Sequence, residues 1–312
     1  MSQVSQPAAD RTAAVAVVVT VVLWASAFVG IRAASTDFGA GSLALGRLLV
    51  GAVALGILVA GRGWVRPSRR DALLVIASGL LWFAFYNVAL NEAERNVDAG
   101  TAAMLVNMGP IFIALLAGLF LGEGLPASLL AGCLVAFAGT VVIGVATSSE
   151  PVPGANPTLG VALCVAAALA YAGGVTLQKP AVRHVPALQV TWLACLVGAV
   201  ACLPFAPGLA NELGSARPES VAWLIYLGLF PTSIAFTTWA FALKRTPAGR
   251  LGSTTYLVPP IVIVLGWLVL REAPAVAAIV GGTLCVGGVA VARSGRLRWP
   301  RRAAVAPAED GL

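Results

Sequence analysis

Charge is scarce in this chain: 20 basic and 13 acidic residues among 312 amount to 11%, where an ordinary soluble domain carries roughly 25%. That is too little to coat a water-exposed surface. A disordered chain is excluded as well, since disorder needs low hydrophobicity and dense charge. Histidine occurs once, at His184, and the five cysteines (Cys133, Cys164, Cys195, Cys202, Cys285) form no CxxC pair. Thiols within apolar segments behave as small hydrophobes. No Asp or Glu interrupts any long apolar stretch, and there is no Walker A sequence. An enzyme embedded in a membrane needs converging His, Asp, Glu or Cys side chains, so these absences argue against one. The missing Walker A sequence excludes ATP-driven work by the chain itself. No cofactor or metal is expected.

What the chain has instead is long uncharged runs. Nine stretches (12–31, 72–91, 99–122, 124–149, 151–178, 184–211, 220–243, 251–270 and 273–292) each hold 20 or more residues without a charge. A tenth, 38–61, is as long and holds only Arg47. At about 1.5 Å per residue, ~20 helical residues cross a hydrocarbon core of ~30 Å. Runs such as 14–30 are apolar on every face, as a helix in lipid requires, whereas barrel strands alternate apolar and polar. The expected fold is all-α and integral to a membrane, with ten transmembrane helices and no soluble catalytic domain. The first run is of full spanning length and reads as a helix rather than a cleavable signal.

Ten spans put both termini on one side. That side collects fifteen bases, from Arg11 through the 62–70, 179–183 and 244–250 clusters to 293–302, and the opposite side collects Arg32, Arg95, Arg217 and Arg271. The positive-inside rule then places both termini in the cytoplasm, with the protein multi-pass in the cell (inner or plasma) membrane. The basic clusters at 62–70 and 293–302 read as topogenic charge at lipid headgroups. No nucleic-acid motif accompanies them, so membrane lipid is the expected neighbour.

The chain also repeats itself. VGAVA at 50–54 recurs at 197–201, an offset of 147. Further on the offset becomes 149, where Ala99-Gly100, Pro110, Glu123, Gly132 and Gly139 answer Ala248-Gly249, Pro259, Glu272, Gly281 and Gly288. The expected organisation is an N-terminal tail (1–11), a first five-helix repeat (12–146), a Pro- and Ser-rich linker (147–157), a second five-helix repeat (158–293) and a basic C-terminal tail (294–312). Five spans per repeat is an odd number, so the second half enters the membrane inverted. Inverted repeats with a site at their interface are the construction of secondary transporters. The expected partner is a small-molecule substrate, and the chain is expected as a monomer or homodimer.

LWASAFVGIR (23–32), ALGRLL (44–49), MGPIFIALLAGLFLGE (108–123) and the echo VPPIVIVLGWLVLRE (258–272) resemble the marked segments of the EamA-like family, within the drug/metabolite transporter superfamily. The resemblance spans about 13 to 293 and implies a ten-helix permease with cytoplasmic termini, a central cavity and alternating access. It also implies small-metabolite transport, with amino-acid export common among relatives. The alternative cargo is anionic, such as a sugar phosphate or nucleotide sugar. The chain departs from the family pattern at Ala25, where glycine is usual, and at Ala194, where the second half has no counterpart to Arg47.

Several polar and aromatic residues within the spans are candidates for work. Arg47 lies about seven residues inside its segment, roughly 10 Å deep, where an arginine costs about 3 kcal/mol or more. It either attracts a substrate carboxylate or is a structural, snorkelling cation. Asn87 and Asn107 lie about 6 and 13 Å below the same membrane surface, bracketing Arg47 in depth. They line a cavity with it or bond between helices. Trp24, Tyr86 and Tyr256 stand away from helix ends and offer an apolar wall for a metabolite. Trp82, Trp223, Trp239, Trp267 and Trp299 read as packing and interfacial belt. Pro110 and Pro259 are expected to kink two helices at hinge positions. Glu123 and Glu272, at opposite faces, are candidates for gating. Gly118 and Gly122 form a GxxxG packing signal.

Overall fold

The computed structural model describes residues 6–93, 95–97, 99–147, 156–270 and 276–294, and among them every regular element is helical. In chain order these are α1 (Gln6–Ala34), α2 (Ala40–Ala60), α3 (Arg69–Ala93), α4 (Ala99–Val106), α5 (Gly109–Phe120), α6 (Ala127–Thr147) and α7 (Pro157–His184). They are followed by α8 (Ala187–Ala201), α9 (Ala206–Ser215), α10 (Pro218–Arg245), α11 (Ala248–Ser253), α12 (Val258–Leu270) and α13 (Val276–Ser294). Seven helical stretches are long and apolar enough to cross a membrane, and α8 with the stretch Leu203–Ser215, bent by 52°, makes an eighth if counted as one. The two remaining expected segments coincide with shorter apolar helices, Met104–Phe120 and Ile279–Ser294. Glu272, Arg271, Trp299, most of the linker and the C-terminal tail beyond Ser294 lie outside the described residues, as does the side chain of Trp267.

Local chemistry sets the helix boundaries. Ser68 accepts from the Asp71 N–H at 3.1 Å and starts α3. Asn156 accepts from the Leu159 N–H at 3.1 Å and starts α7, with Pro157 in the first turn. Both use side-chain oxygens to satisfy N–H groups that a helix start leaves unpaired. The expected spans 99–122 and 251–270 are interrupted rather than kinked. Asn107 and Met108 separate α4 from α5, and a 3₁₀ turn over Thr254–Leu257 separates α11 from α12. Pro110 and Pro259 each stand second in the segment that follows the break. A proline needs no N–H partner in a first helical turn, so it suits a restart. Gly118 meets Leu125 of its own returning turn instead of a partner helix, and Gly122 and Gly124 in that turn hold φ of 66° and 71°.

The two halves agree down to their defects. α3 and α10 each contain a π segment, Gly79–Phe85 and Gly228–Ile234, at the 149 offset. In each, the leading glycine lets a neighbouring backbone approach. A Cβ on Gly79 would stand 2.8 Å from the Ala194 carbonyl, and one on Gly228 would stand 2.9 Å from the Arg47 carbonyl. Ala194 and Arg47 are themselves counterparts at the 147 offset, so the same contact occurs twice, once in each direction.

Two seams repeat this self-complementarity. In the antiparallel pair α6–α13, Gly132 faces Gly288 and Gly139 faces Gly281, with any added Cβ within 2.6 Å of backbone. At the centre of that crossing the Cys285 thiol donates to the carbonyl of Ala136, its own repeat counterpart. Between α2 and α8, Cys195 donates in the same way to its counterpart Leu48. Contacts of the form i to j and j to i mark two-fold symmetry. The largest core cluster takes in the α2–α8 seam and includes Trp82, Phe83, Phe236 and Trp239.

Candidate functional site

An open cavity with room for about 100 Å³ of water-sized sphere centres lies among α1, α2, α3, α5, α7 and α10. Trp24 from α1, Arg47 from α2, Tyr86 and Asn87 from α3, Asn107 at the α4–α5 break and Pro110 from α5 all line it. The structure thus brings together residues that are up to 86 positions apart in the sequence. Tyr256 is not brought in. Its side chain is fully buried against Ala114, Cys133 and Val289, on the far side of the 3₁₀ turn whose Thr255 faces the cavity.

One wall is aromatic. The Trp24 ring lies 5.4 Å from Phe236, 5.0 Å from Trp239 and 6.0 Å from Trp82, centre to centre. Trp82 lies 5.2 Å from Tyr171, which lies 6.0 Å from Tyr86. Ring pairs at such separations hold one another in place beyond what area burial supplies. The sequence reading assigned Trp82 and Trp239 to packing and belt; both are buried in this wall, and Trp82 lines the cavity. Tyr171 and Phe236 were missed. A signal existed for Tyr171, because it stands 147 residues after Trp24 and so takes the same place in the second repeat. Phe236 answers Asn87 at the 149 offset, but one residue is apolar and the other an amide, so residue type hid the pair.

Arg47 is the only basic side chain that lines this cavity among the described residues. It is 6% exposed. Its Nε donates to Thr232 Oγ1 at 3.1 Å, and among the described residues no carboxylate comes within ion-pair distance of it. A buried cation without a counter-charge is costly. Asn87 is anchored within its own helix, its Nδ2 donating to the Phe83 carbonyl at 2.8 Å and the Trp82 carbonyl at 3.3 Å. These are carbonyls of the π segment, so the amide that lines the cavity also steadies the widened turn. Asn91, one turn further along α3, donates from Nδ2 to the Ala40 carbonyl at 2.9 Å. It lines the cavity too, at the i+4 position that a helical reading of Asn87 points to.

The two ends of the site differ. Toward the turn after α1, a second open cavity is lined by Ser35, Asp37, Gly39 and Arg95 and shares Ile31 and Asn91 with the first. The turn is clasped to α9 and α10. Asp37 accepts from Ser220 Oγ and from Arg217 Nε at 2.9 Å, and Glu212 accepts from the Gly39 N–H at 3.1 Å. The Ser220 hydroxyl, and after it Arg217, hold the Asp37 carboxyl below the ordinary carboxylate range.

At the opposite end, Lys179 is 5% exposed and donates to the Leu243 and Thr246 carbonyls at the C-terminus of α10. Glu123 lies 3.9 Å from Lys179 and accepts from the Gly249 N–H at the start of α11 at 3.3 Å. A cation on a helix C-terminus and an anion on a helix N-terminus each meet a favourable end of the helix dipole. In the sequence Lys179 is one of the fifteen bases of the termini's side; in the structure it is the partner of Glu123, the gating candidate. His184 ends α7 and reaches Asp71 at 3.2 Å, so it links α7 to α3.

The sequence profile of the EamA-like transporter family matches residues 11–145 and again 158–294. A protein of Streptantibioticus cattleyicolor named "Probable terminal-alkyne amino-acid exporter" is 36% identical over 274 residues, covering 88% of this chain and 91% of that one. "Uncharacterized transporter YdfC" of Bacillus subtilis is 30% identical, covering 86% of each chain. "Aromatic amino acid exporter YddG" of Ancylobacter novellus is 29% identical, covering 69% of this chain and 72% of that one. A solved crystal structure superposes with a TM-score of 0.75 at 24% identity, covering 91% of this chain and 96% of the other, which establishes a shared fold.

Proposed function

The chain belongs to the EamA-like transporter family, and from that premise we propose that it is a secondary transporter exporting small amphipathic amino acids by alternating access. The observation that carries the cargo class is Arg47. A guanidinium buried beside an aromatic wall, bonded to one hydroxyl and to no carboxylate among the described residues, is completed by a ligand carboxylate in bidentate contact. The wall of Trp24, Trp82, Tyr86 and Tyr171 suits an apolar or aromatic side chain. The names of two relatives, both amino-acid exporters, support the same reading. Sugar phosphates and nucleotide sugars would want a second base, and none lines the cavity among the described residues.

On this reading the chain crosses the membrane ten times as two inverted five-helix halves, 12–146 and 158–293, with both termini cytoplasmic. The fifteen-to-four division of bases supports that sidedness. The open mouth beside Asp37 then faces outward, and Glu123–Lys179 closes the cytoplasmic end. Pro110 and Pro259, at the restarts of two interrupted helices, are the hinge positions. Glu272, the repeat counterpart of Glu123, is the gating residue of the opposite face.

The test is export by inverted or intact cells loaded with labelled amino acids. Arg47→Ala is expected to lower export about tenfold or more while leaving the protein folded, as judged by its elution profile in detergent. Normal export by a folded Arg47→Ala protein would remove the carboxylate role.

A further inference from the structure

The cavity holds a second polar feature that Arg47 does not account for. Asn87 and Asn91 are one turn apart on α3, 5% and 8% exposed, and both line the cavity. In each, the amide orientation is fixed by the protein. The Nδ2 of Asn87 donates to the Trp82 and Phe83 carbonyls, and the Nδ2 of Asn91 donates to the Ala40 carbonyl. Only an NH₂ can face a carbonyl oxygen, so flipping either amide would set oxygen against oxygen. Both Oδ1 atoms are therefore committed away from the backbone, and no donor reaches either one among the described residues. An amide oxygen held in a largely apolar cavity is an acceptor in want of a donor.

The level of these oxygens along the helices matters. The Asn91–Ala40 bond sets the register of α3 against the antiparallel α2. From Ala40 to Arg47 is about 10 Å of helix, and from Asn91 back to Asn87 about 6 Å. Asn87 thus lies within about one helical turn of Arg47, on the facing helix, and Asn91 lies nearer the mouth. In an α-amino acid the ammonium nitrogen and the carboxylate carbon are two bonds apart. A carboxylate on Arg47 leaves the adjoining ammonium on the mouth side, where the Asn87 oxygen stands.

We propose that Asn87 Oδ1, with Asn91 Oδ1 as the acceptor met first on entry from the mouth, forms an ammonium subsite, so that the transporter requires a free α-amino group on its cargo. This rests on the reading that Arg47 takes the cargo carboxylate. The subsite gives each end of a zwitterion a polar partner, the guanidinium for the carboxylate and two amide oxygens for the ammonium.

The test is binding of labelled L-phenylalanine and L-propargylglycine to the purified full-length protein in detergent, with three competitors. 3-Phenylpropanoate lacks only the amine, N-acetyl-L-phenylalanine has it blocked, and L-phenylalaninamide lacks only the carboxylate. The expected result is that the first two compete about tenfold or more weakly than phenylalanine, the loss typical of a hydrogen bond to a charged group. Equal competition by 3-phenylpropanoate overturns the ammonium subsite and leaves the Arg47 reading standing. Equal competition by L-phenylalaninamide overturns the Arg47 reading instead. If neither labelled amino acid binds, both fall. Asn91→Leu, which spares the π segment, is expected to weaken phenylalanine without weakening 3-phenylpropanoate; an equal loss for both ligands would assign Asn91 to structure alone.

Discussion

Arg47 and Asp37 show how differently a charge acts inside and outside the apolar slab. Arg47 stood out in the sequence because nothing else charged lay within a span, and depth alone marked it. Its neighbours did not stand out. Trp82, Tyr171 and Phe236 look like every other aromatic in an apolar run, and only their convergence on one cavity distinguishes them. Asp37 works at the surface, where its ionised form accepts from Ser220 and Arg217. Because folding lowers its pKa, the stability it contributes is present above the ordinary carboxylate pKa of about 4 and is lost as pH falls through the folded value. Thermal unfolding in detergent at pH 7 and at pH 3 is expected to show a smaller acid-induced drop for Asp37→Asn than for the unaltered chain. An identical drop in both would show that the clasp contributes nothing to acid sensitivity.

At the scale of elements, the long runs of the sequence become helices because lipid leaves a backbone few other ways to satisfy its hydrogen bonds. The interruptions were harder to read. A proline inside an apolar run signals a kink, and Pro110 and Pro259 instead mark where a helix restarts after a break at Asn107–Met108 or a 3₁₀ turn. The π segments carry no sequence signature of their own. Their shared register became visible only once the 149 offset could be laid on coordinates. The glycines of the α6–α13 seam were legible as repeats but not as partners. Substituting Gly132 or Gly288 by Leu drives side-chain atoms into backbone already 2.3 and 2.4 Å from an added Cβ. Each is expected to destabilise by about 1–3 kcal/mol or more, read as a lower unfolding midpoint in detergent. Gly287→Leu, where a Cβ meets nothing within 4 Å, is expected to leave the midpoint within about 0.5 kcal/mol of the original.

At the scale of the whole molecule, the repeat is legible as offsets of 147 and 149 in the sequence, whereas the burial of Lys179 is not legible there. Lys179 reads as one base among fifteen, and nothing local says that it is buried under the C-terminus of α10 with Glu123 beside it. Gln178, next to it, is fully buried with no partner for its amide among the described residues. Losing the Lys179 latch is therefore expected to wet this region. In inside-out vesicles, Lys179→Ala is expected to raise maleimide labelling of Gln178→Cys several-fold, in a background without the native cysteines. Unchanged labelling would mean that Lys179 does not hold that end shut. At the repeat offsets Lys179 and Glu123 answer Arg32 and Glu272. If those two serve the opposite face, Arg32→Ala lowers the same labelling.

The two-fold seams carry a last consequence. Two identical subunits related by a two-fold axis would form such contacts too, and in that assembly every side chain would be present twice. Here the halves are one polypeptide, and a residue can change on one side without its image. Position 47 is arginine while its counterpart 194 is alanine. A subunit pair would have to bury two guanidinium groups about the axis. Fusion is what permits a site with one positive charge, and with it a head and a tail for whatever binds there.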